Sequence, residues 1–295
     1  MSAQLPDPIK IATKKAGDVC IYTFISAFTD NNIANATHII EGKRNLVLVD
    51  GQFLASYARQ FRDYANGLAK DLGKPIERMY LSHRHPDHWL GLGTAFEDVA
   101  VYALPETIHF LKEHGEASRE DHLKIMGPEA PGKVVIPGHT VGLDEKNRTS
   151  EETIDGVRYI FGRETDTEID FLLTISLPEL GVFIAQDLIY SRTHLYLPSA
   201  PTVQDATKNM EHWIQVLGEL LRSDYDLFMP GHGFPADKTE VAQNIEYLAA
   251  AKHAIDCGLT KYDFKSFMLQ RYPERKCPGI FTTYLPRLFD GIRDY

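Results

Sequence analysis

Short apolar runs separated by turn signals fill the first fifty positions. Val19-Cys20-Ile21-Tyr22, Thr37-His38-Ile39-Ile40 and Leu46-Val47-Leu48-Val49 each read as a strand, with Glu41-Gly42-Lys43-Arg44 as the hairpin turn between the last two. The period then changes. Leu54, Tyr57, Ala58, Phe61, Ala65 and Leu68 recur at helical spacing, and Gly73 lies past the end. A strand over 77–82 and another over 99–103 follow, and Pro105 opens a helix at its favoured first position. Residues 128–156 gather Gly, Pro and charge and read as a loop-dominated insertion or link. Strands are predicted again over 157–161, 169–177 and 181–186. Asp205 is expected to cap a helix carrying Met210, Trp213, Ile214, Leu217 and Leu221. Strand 226–229 runs into Pro230-Gly231-His232-Gly233, helix 239–256 follows, and the aromatic tail from 260 reads as helical, covering one side of the fold.

This order of elements suggests an α/β (α+β) architecture: two mixed β-sheets back to back with helices outside, a four-layer αββα sandwich. It is read as one domain, 1–295, with 236–295 a helical C-terminal extension. The formal charge of −10 argues against a partner made of nucleic acid or anionic membrane, while leaving an anionic substrate open. No run is long enough to span a bilayer, and Met1 to Asp18 holds no apolar core of signal-peptide length. Cys20, Cys257 and Cys277 are odd in number and scattered; they fit reduced thiols and a cytoplasmic location, not a zinc knuckle. A small-molecule substrate is expected, and a homodimer is left open.

The chemistry concentrates in Ser82-His83-Arg84-His85-Pro86-Asp87-His88. Neutral imidazole and carboxylate are ligands of borderline divalent metals, zinc above all. In an extended segment His83 and His85 point the same way and can reach one ion together. Asp87 and His88 follow where the chain turns and can swing toward a second. Further ligands are sought where later strands end. His232 stands between glycines after Leu227-Phe228-Met229. Asp187 follows Val182-Phe183-Ile184-Ala185-Gln186, where a buried carboxylate must be paired or coordinated and can bridge two ions. A third position is less determined: Glu164 or Glu168, before strand 169–177, competes with His139 in Pro137-Gly138-His139-Thr140. Asp50, ending its strand, reads either as a carboxylate that holds a ligand histidine by its other ring nitrogen or as a simple turn residue.

The text His-x-His-x-Asp-His, the strand-ending Asp187 and the late Gly-His resemble the metallo-β-lactamase superfamily over residues 20–235. In most of that family the remaining ligand is a histidine one strand pair before the aspartate. His139 lies too far upstream of Asp187, whereas Glu164 leaves room for one strand pair. The alkylsulfatase branch has glutamate there, in Thr-Glu-x-x-x-Glu; Arg163-Glu164-Thr165-Asp166-Thr167-Glu168 is similar, with Arg163 in place of the threonine. The resemblance therefore favours Glu164.

It implies two divalent ions, zinc first, with manganese or iron tolerated because an oxygen ligand makes the first site harder. His83, His85 and Glu164 would hold one; Asp87, His88 and His232 the other; Asp187 would bridge. A hydroxide shared by the ions would cleave an ester-type bond (ester, lactone or sulfate ester) of a small molecule. Asp87 is expected to move the proton and Tyr190 to touch the substrate oxygen. A β-lactam or thioester hydrolase on the same scaffold, a metal-binding or ligand-sensing protein without catalysis, and a redox protein using iron are the competing classes. Trp89, Phe96, Phe264, Phe267, Tyr272, Phe281 and Tyr284 read equally as pocket lining or as core, and His194 as a surface histidine.

Overall fold

The computed structural model describes residues 5–15, 19–143, 146–198 and 200–290. The predicted domain's two ends, and part of the Met1–Asp18 stretch, lie outside the described residues. In chain order the elements are β1 (Ile9–Lys14), β2 (Cys20–Ile25), β3 (Ala36–Glu41), β4 (Leu46–Val49), α1 (Ala55–Leu72), β5 (Ile76–Tyr80), α2 (Pro86–Trp89), α3 (Leu92–Ala95), β6 (Val101–Ala103) and α4 (Pro105–Met126). Then come β7 (His139–Thr140), β8 (Thr149–Ile154), β9 (Val157–Thr165), β10 (Phe171–Leu177), β11 (Val182–Ser191), α5 (Val203–Arg222), β12 (Leu227–Gly233), α6 (Lys238–Asp256), α7 (Lys261–Arg271) and α8 (Ile280–Asp290).

Seven strands form one sheet in the order β1 to β7, antiparallel as far as β4 and parallel beyond it. Five form the other, β12-β11-β10-β9-β8, in which only β12 and β11 are parallel. Strand alternation decides which core each side chain joins. Val47 and Val49 of β4 and Ile40 of β3 meet Phe161, Leu173, Ile175 and Ile184 of the other sheet. Leu46, Leu48 and Ile39 point the opposite way, onto Tyr57, Phe61 and Ala65 of α1. Leu172, Phe183 and Ala185 face outward on the second sheet, onto Met210 and Trp213 of α5, Tyr247 of α6 and Phe281 of α8. Three apolar layers between four structural layers make the αββα sandwich, and the central strands of each sheet are covered on both faces, which is why they read as continuous apolar runs.

Several expectations change. β1 pairs with β2, although its alternating half-buried residues gave only a weak pattern. The stretch 128–156 is not loop alone: it holds β7 and β8, and β8 turns into β9 through Asp155-Gly156, both at positive φ (50° and 81°). An Asp-Gly pair between apolar positions is a hairpin signal. Thr202, not Asp205, caps α5, its hydroxyl accepting from the Asp205 amide at 3.1 Å. His194 is buried against Tyr247 and Phe281 rather than at the surface. Trp89, Phe96, Phe264, Phe281 and Tyr284 are core, with Phe267 and Tyr272 packed at its edge. No helix among the described residues is long and apolar enough to cross a membrane.

Candidate metal centre

The edge where β5, β11 and β12 end carries the predicted chemistry. After β5 the chain runs extended through His83 and His85 until Pro86, at the first helical position, starts the one-turn α2 that carries Asp87 and His88. Trp89 holds this loop from beneath, its indole N–H donating to the Arg84 carbonyl at 2.9 Å. Asp187 does not end its strand. β11 continues to Ser191 and bulges: Gln186 pairs with Pro230 and Tyr190 with His232, so β11 runs four positions where β12 runs two. Gln186 sits at φ 45°, and the bulge re-aims the carboxylate that follows. Opposite it, a Cβ on Gly231 would lie 1.9 Å from Asp187 Oδ1, so glycine is required there for clearance.

Two sets of ligand-type atoms result, each within 4.8 Å of one another: His83, His85, Glu168 and Asp187; and Asp87, His88 and His232. Asp187 joins them. Its Oδ1 is 3.3 Å from His88 Nε2, and its Oδ2 is 3.3 Å from His232 Nε2 and 3.8 Å from His83 Nε2. Asp87 Oδ2 is 3.3 Å from His232 Nε2 and 3.4 Å from His88 Nε2, while His85 Nδ1 is 3.2 Å from Glu168 Oε1. Atoms each about 2.1 Å from one tetrahedral ion lie about 3.4 Å apart, so these spacings match a shared cation. Buried polar atoms without hydrogen-bond partners point the same way: His83 Nε2, His88 Nε2, both Glu168 oxygens and Asp187 Oδ1. Such atoms are costly unless something coordinates them.

The rear nitrogens are already committed. His88 Nδ1 donates to Asp50 Oδ2 at 2.6 Å, and His232 Nδ1 donates to the Ile33 carbonyl at 2.7 Å. His83 Nδ1 is 2.8 Å from the Ser82 hydroxyl. Each ring thus turns Nε2 into the cluster. Asp50 also accepts from the Ser82 amide and hydroxyl, both at 2.7 Å, and from Gln186. The outer-shell contact expected of Asp50 is present. Asn35 adds a long contact to Asp87 Oδ2, 3.4 Å.

Burial holds His83 well below the ordinary imidazole value and His85 down to about 3, leaving both neutral, the form that coordinates metal. Burial, reinforced by Asp187 and Asp87, pushes Glu168 well above the carboxylate range. Asp187 goes the other way: burial opposes its charge, but His88, His232 and His83 outweigh burial. At His232 burial favours the neutral ring, yet Asp187 and Asp87 raise it to about 9. Negative charge packed this densely favours a cation.

Glu164, expected as the third ligand of the first set, is outside it; Glu168 takes the place. The cause is strand parity. Val157, Tyr159 and Phe161 face the inner core, so Glu164, three positions after Phe161, faces outward, half-buried near Arg148, with burial raising its carboxyl. Glu168 follows the end of β9, beyond a turn where Asp166 adopts φ 54°, and folds back under His85. His139 is exposed on β7, stacked on Tyr102 at 4.5 Å and outside both sets. Tyr190 is fully buried and stacked on His232, and its hydroxyl donates to Asp187 Oδ2 at 2.7 Å. The contact it makes is with that carboxylate.

No protein-family profile and no curated protein matches the sequence. Solved structures do. The metallo-β-lactamase FIM-1 from Pseudomonas aeruginosa, in its mono-zinc form, superposes with a TM-score of 0.60 at 16% identity, over 84% of this chain and 98% of that one. The protein has the metallo-β-lactamase fold. A metallo-β-lactamase from Pontibacter korlensis superposes at 0.57 and 15% identity, over 82% and 99% of the two chains. The inverting sec-alkylsulfatase Pisa1 from Pseudomonas sp. does so at 0.56 and 18%, over 83% of this chain but 43% of its own. The αββα sandwich is thus shared with all three, and on this chain's metallo-β-lactamase fold the ligand set takes the form His-x-His, Glu168, Asp187.

The sets open into a cavity of about 170 Å³. Besides Ile33, Phe53, Arg84 and Tyr196, its walls come from α4 (Phe110, Ser118 and His122, on one helical face) and α8 (Ile280, Thr283 and Arg287, likewise). These wall residues were not anticipated. Their spacing on single helix faces was readable, but nothing local in the sequence says that those faces meet the metal edge.

Proposed function

We propose that the protein is a dinuclear metallo-hydrolase that cleaves an ester-type bond in a small molecule. The observation that carries the reading is the shared carboxylate: Asp187 contacts imidazoles of both sets at once. His83, His85, Glu168 and Asp187 would hold one divalent ion; Asp87, His88 and His232, with Asp187 shared, would hold the other. Zinc suits the imidazoles, and the two carboxylates of the first set also suit manganese or iron. Bound ions would supply Lewis acidity, bringing water's ionisation toward neutral pH and offsetting charge that develops on the attacked oxygen.

The chain's own residues do the rest. Asp50, Ser82 and the Ile33 carbonyl fix the imidazole tautomers, and Tyr190 fixes Asp187. Asp87 is the most accessible carboxylate of the sets, 16% exposed where Glu168 and Asp187 are nearly closed off. It is therefore the group placed to take a proton and deliver it to the leaving oxygen. Phe53, Phe110 and Ile280 give the cavity an apolar side on which the hydrocarbon part of a substrate can pack.

Elemental analysis of the purified protein, paired with turnover of lactones, aryl esters, alkyl sulfates and nitrocefin, tests the reading. Two ions per chain, and ester-type turnover lost on chelation, in His85→Ala and in Asp187→Ala, are expected. Full activity after complete chelation, or in either variant, contradicts it; cleavage of nitrocefin alone replaces the ester with a β-lactam.

A further inference from the structure

Main-chain pairing thins out where the metal edge begins. β10 follows β11 only as far as Ile184, opposite Ile175. Further along β11, Tyr190 is fully buried, and its amide and carbonyl still need partners. One side chain supplies both. Asn244, on α6 and itself fully buried, accepts from the Tyr190 amide at 2.9 Å and donates to the Tyr190 carbonyl at 2.8 Å. Its amide thus takes the place of a neighbouring strand's peptide group. The same NH₂ donates to the Glu240 carbonyl at 2.9 Å, which fixes the orientation of the amide.

Arg275 completes this clasp from the segment between α7 and α8. Its buried guanidinium donates to the Thr193 carbonyl at 2.7 Å, reaches the Tyr190 carbonyl at 3.4 Å and pairs with Glu240 at 2.9 Å. It lies 5.4 Å from the centre of the Tyr247 ring. Main-chain bonds tie the same segment beside the end of β11: the Lys276 amide donates to the Arg192 carbonyl at 2.8 Å, and the His194 amide donates to the Lys276 carbonyl at 2.9 Å. The C-terminal extension therefore supports the metal edge as well as covering the second sheet.

The residue so held has two contacts inside the site. The Tyr190 hydroxyl donates to Asp187 Oδ2 at 2.7 Å, and the Tyr190 ring stacks on His232. That carboxylate oxygen is the one facing both His232 and His83. Between Gln186 and Tyr190 the register with β12 slips, so the ladder alone does not hold this stretch in place. We propose that Asn244 and Arg275 are positioning residues: they fix the Tyr190 backbone so that its hydroxyl holds the shared carboxylate in the orientation both ion sites need. Among the described residues, their side-chain hydrogen bonds go to Tyr190, Thr193 and Glu240 and to no ligand of either set, so their influence runs through Tyr190. The inference rests on the two-cation reading of the site and not on the identity of the bond cleaved.

The test is a double-mutant cycle on the cobalt-loaded protein, in which release of the ions to EDTA is followed by their visible absorption. Tyr190→Phe keeps the ring and removes only the hydroxyl, and Asn244→Ala removes the clasp. Each should weaken retention of the ions roughly tenfold, as loss of an outer-shell partner does, and each should alter the cobalt bands. In the Tyr190→Phe background Asn244→Ala should add less than about twofold, because both changes break one linkage. Additive losses overturn the proposal. So does an Asn244→Ala protein that is less stable in urea yet keeps native bands and native retention, since its role is then structural only. Where Asn244→Ala does not fold, Arg275→Lys decides by the same cycle, for it keeps the charge beside Glu240 and loses the fork that reaches two carbonyls. A loss of about threefold or more that vanishes in the Tyr190→Phe background supports the proposal, and no loss, or the same loss in both backgrounds, overturns it. A native protein that retains no cobalt overturns the two-cation reading and this inference with it, whereas native retention with additive losses overturns this inference alone.

Discussion

Asp50→Asn separates the support of the metal centre from the centre itself. Four donors converge on this buried carboxylate: the Ser82 amide and hydroxyl at 2.7 Å, His88 Nδ1 at 2.6 Å and the Gln186 amide. The backbone strain is unchanged, since Asp50 sits at φ 61°, where asparagine is equally tolerated. What changes is that an NH₂ replaces one acceptor and faces donors. One buried donor then loses its partner, at a cost of about 1–3 kcal/mol in stability. His88 loses the charge that fixes its tautomer, and removal of such an outer-shell partner costs about 10–100-fold in metal affinity. Because Asp50 touches His88 of the Asp87–His88–His232 set directly but reaches His83 of the other set only through Ser82, the loss should fall mainly on one ion. Titration of the zinc-loaded protein with a chromophoric chelator should show one ion released at a chelator concentration lower by that factor, with the other nearly unmoved. Urea melts of the chelated protein report the stability term. If both ions are held as in the native protein while stability falls, Asp50 is a structural residue only and the reasoning about His88 is wrong.

Glu168→Gln should lower the zinc content toward one ion per chain and suppress turnover by at least about tenfold, whereas Glu164→Gln should leave both unchanged by elemental analysis; the reverse result would restore Glu164 as ligand. Gly231→Ala places a methyl group 1.9 Å from the present position of Asp187 Oδ1, so the shared carboxylate must move and both metal content and turnover should drop; native loading would show that β12 yields instead. His38 is fully buried, between the Thr23 hydroxyl at 3.1 Å and the Pro230 carbonyl at 2.9 Å, and burial lowers it to about 4. Its folded value lies below the unfolded one, so stability is present above about pH 6.5 and lost as pH falls toward 4, by up to about 3 kcal/mol. Urea melts of chelated protein from pH 7 to 4 should show that slope reduced in His38→Gln, and an unchanged slope would refute the assignment.

The strands were legible where both faces are buried, because Leu46-Val47-Leu48-Val49 and Val182-Phe183-Ile184 need no partner to be recognised as apolar runs. The His83–His88 segment was legible because its spacing carries the chemistry locally. Glu168 was harder. Choosing between it and Glu164 requires knowing where β9 ends and which parity faces the core, and strand boundaries are the least readable part of a sequence. Residue Asp187 was found for an incomplete reason. The strand does not stop there but bulges, and the bulge depends on pairing with β12 more than forty residues later. Asn244 and Arg275 had no local signal, since their relation to Tyr190 exists only once α6 and the segment after α7 pack on the end of β11.

The central claim is that two cations sit on either side of Asp187. Anomalous diffraction at the zinc edge, from crystals grown with the metal, measures this directly. The account predicts two peaks, one among His83, His85 and Glu168 and one among Asp87, His88 and His232, with Asp187 between them. Peaks elsewhere, or metal-soaked crystals with no peak beside Asp187, would contradict it.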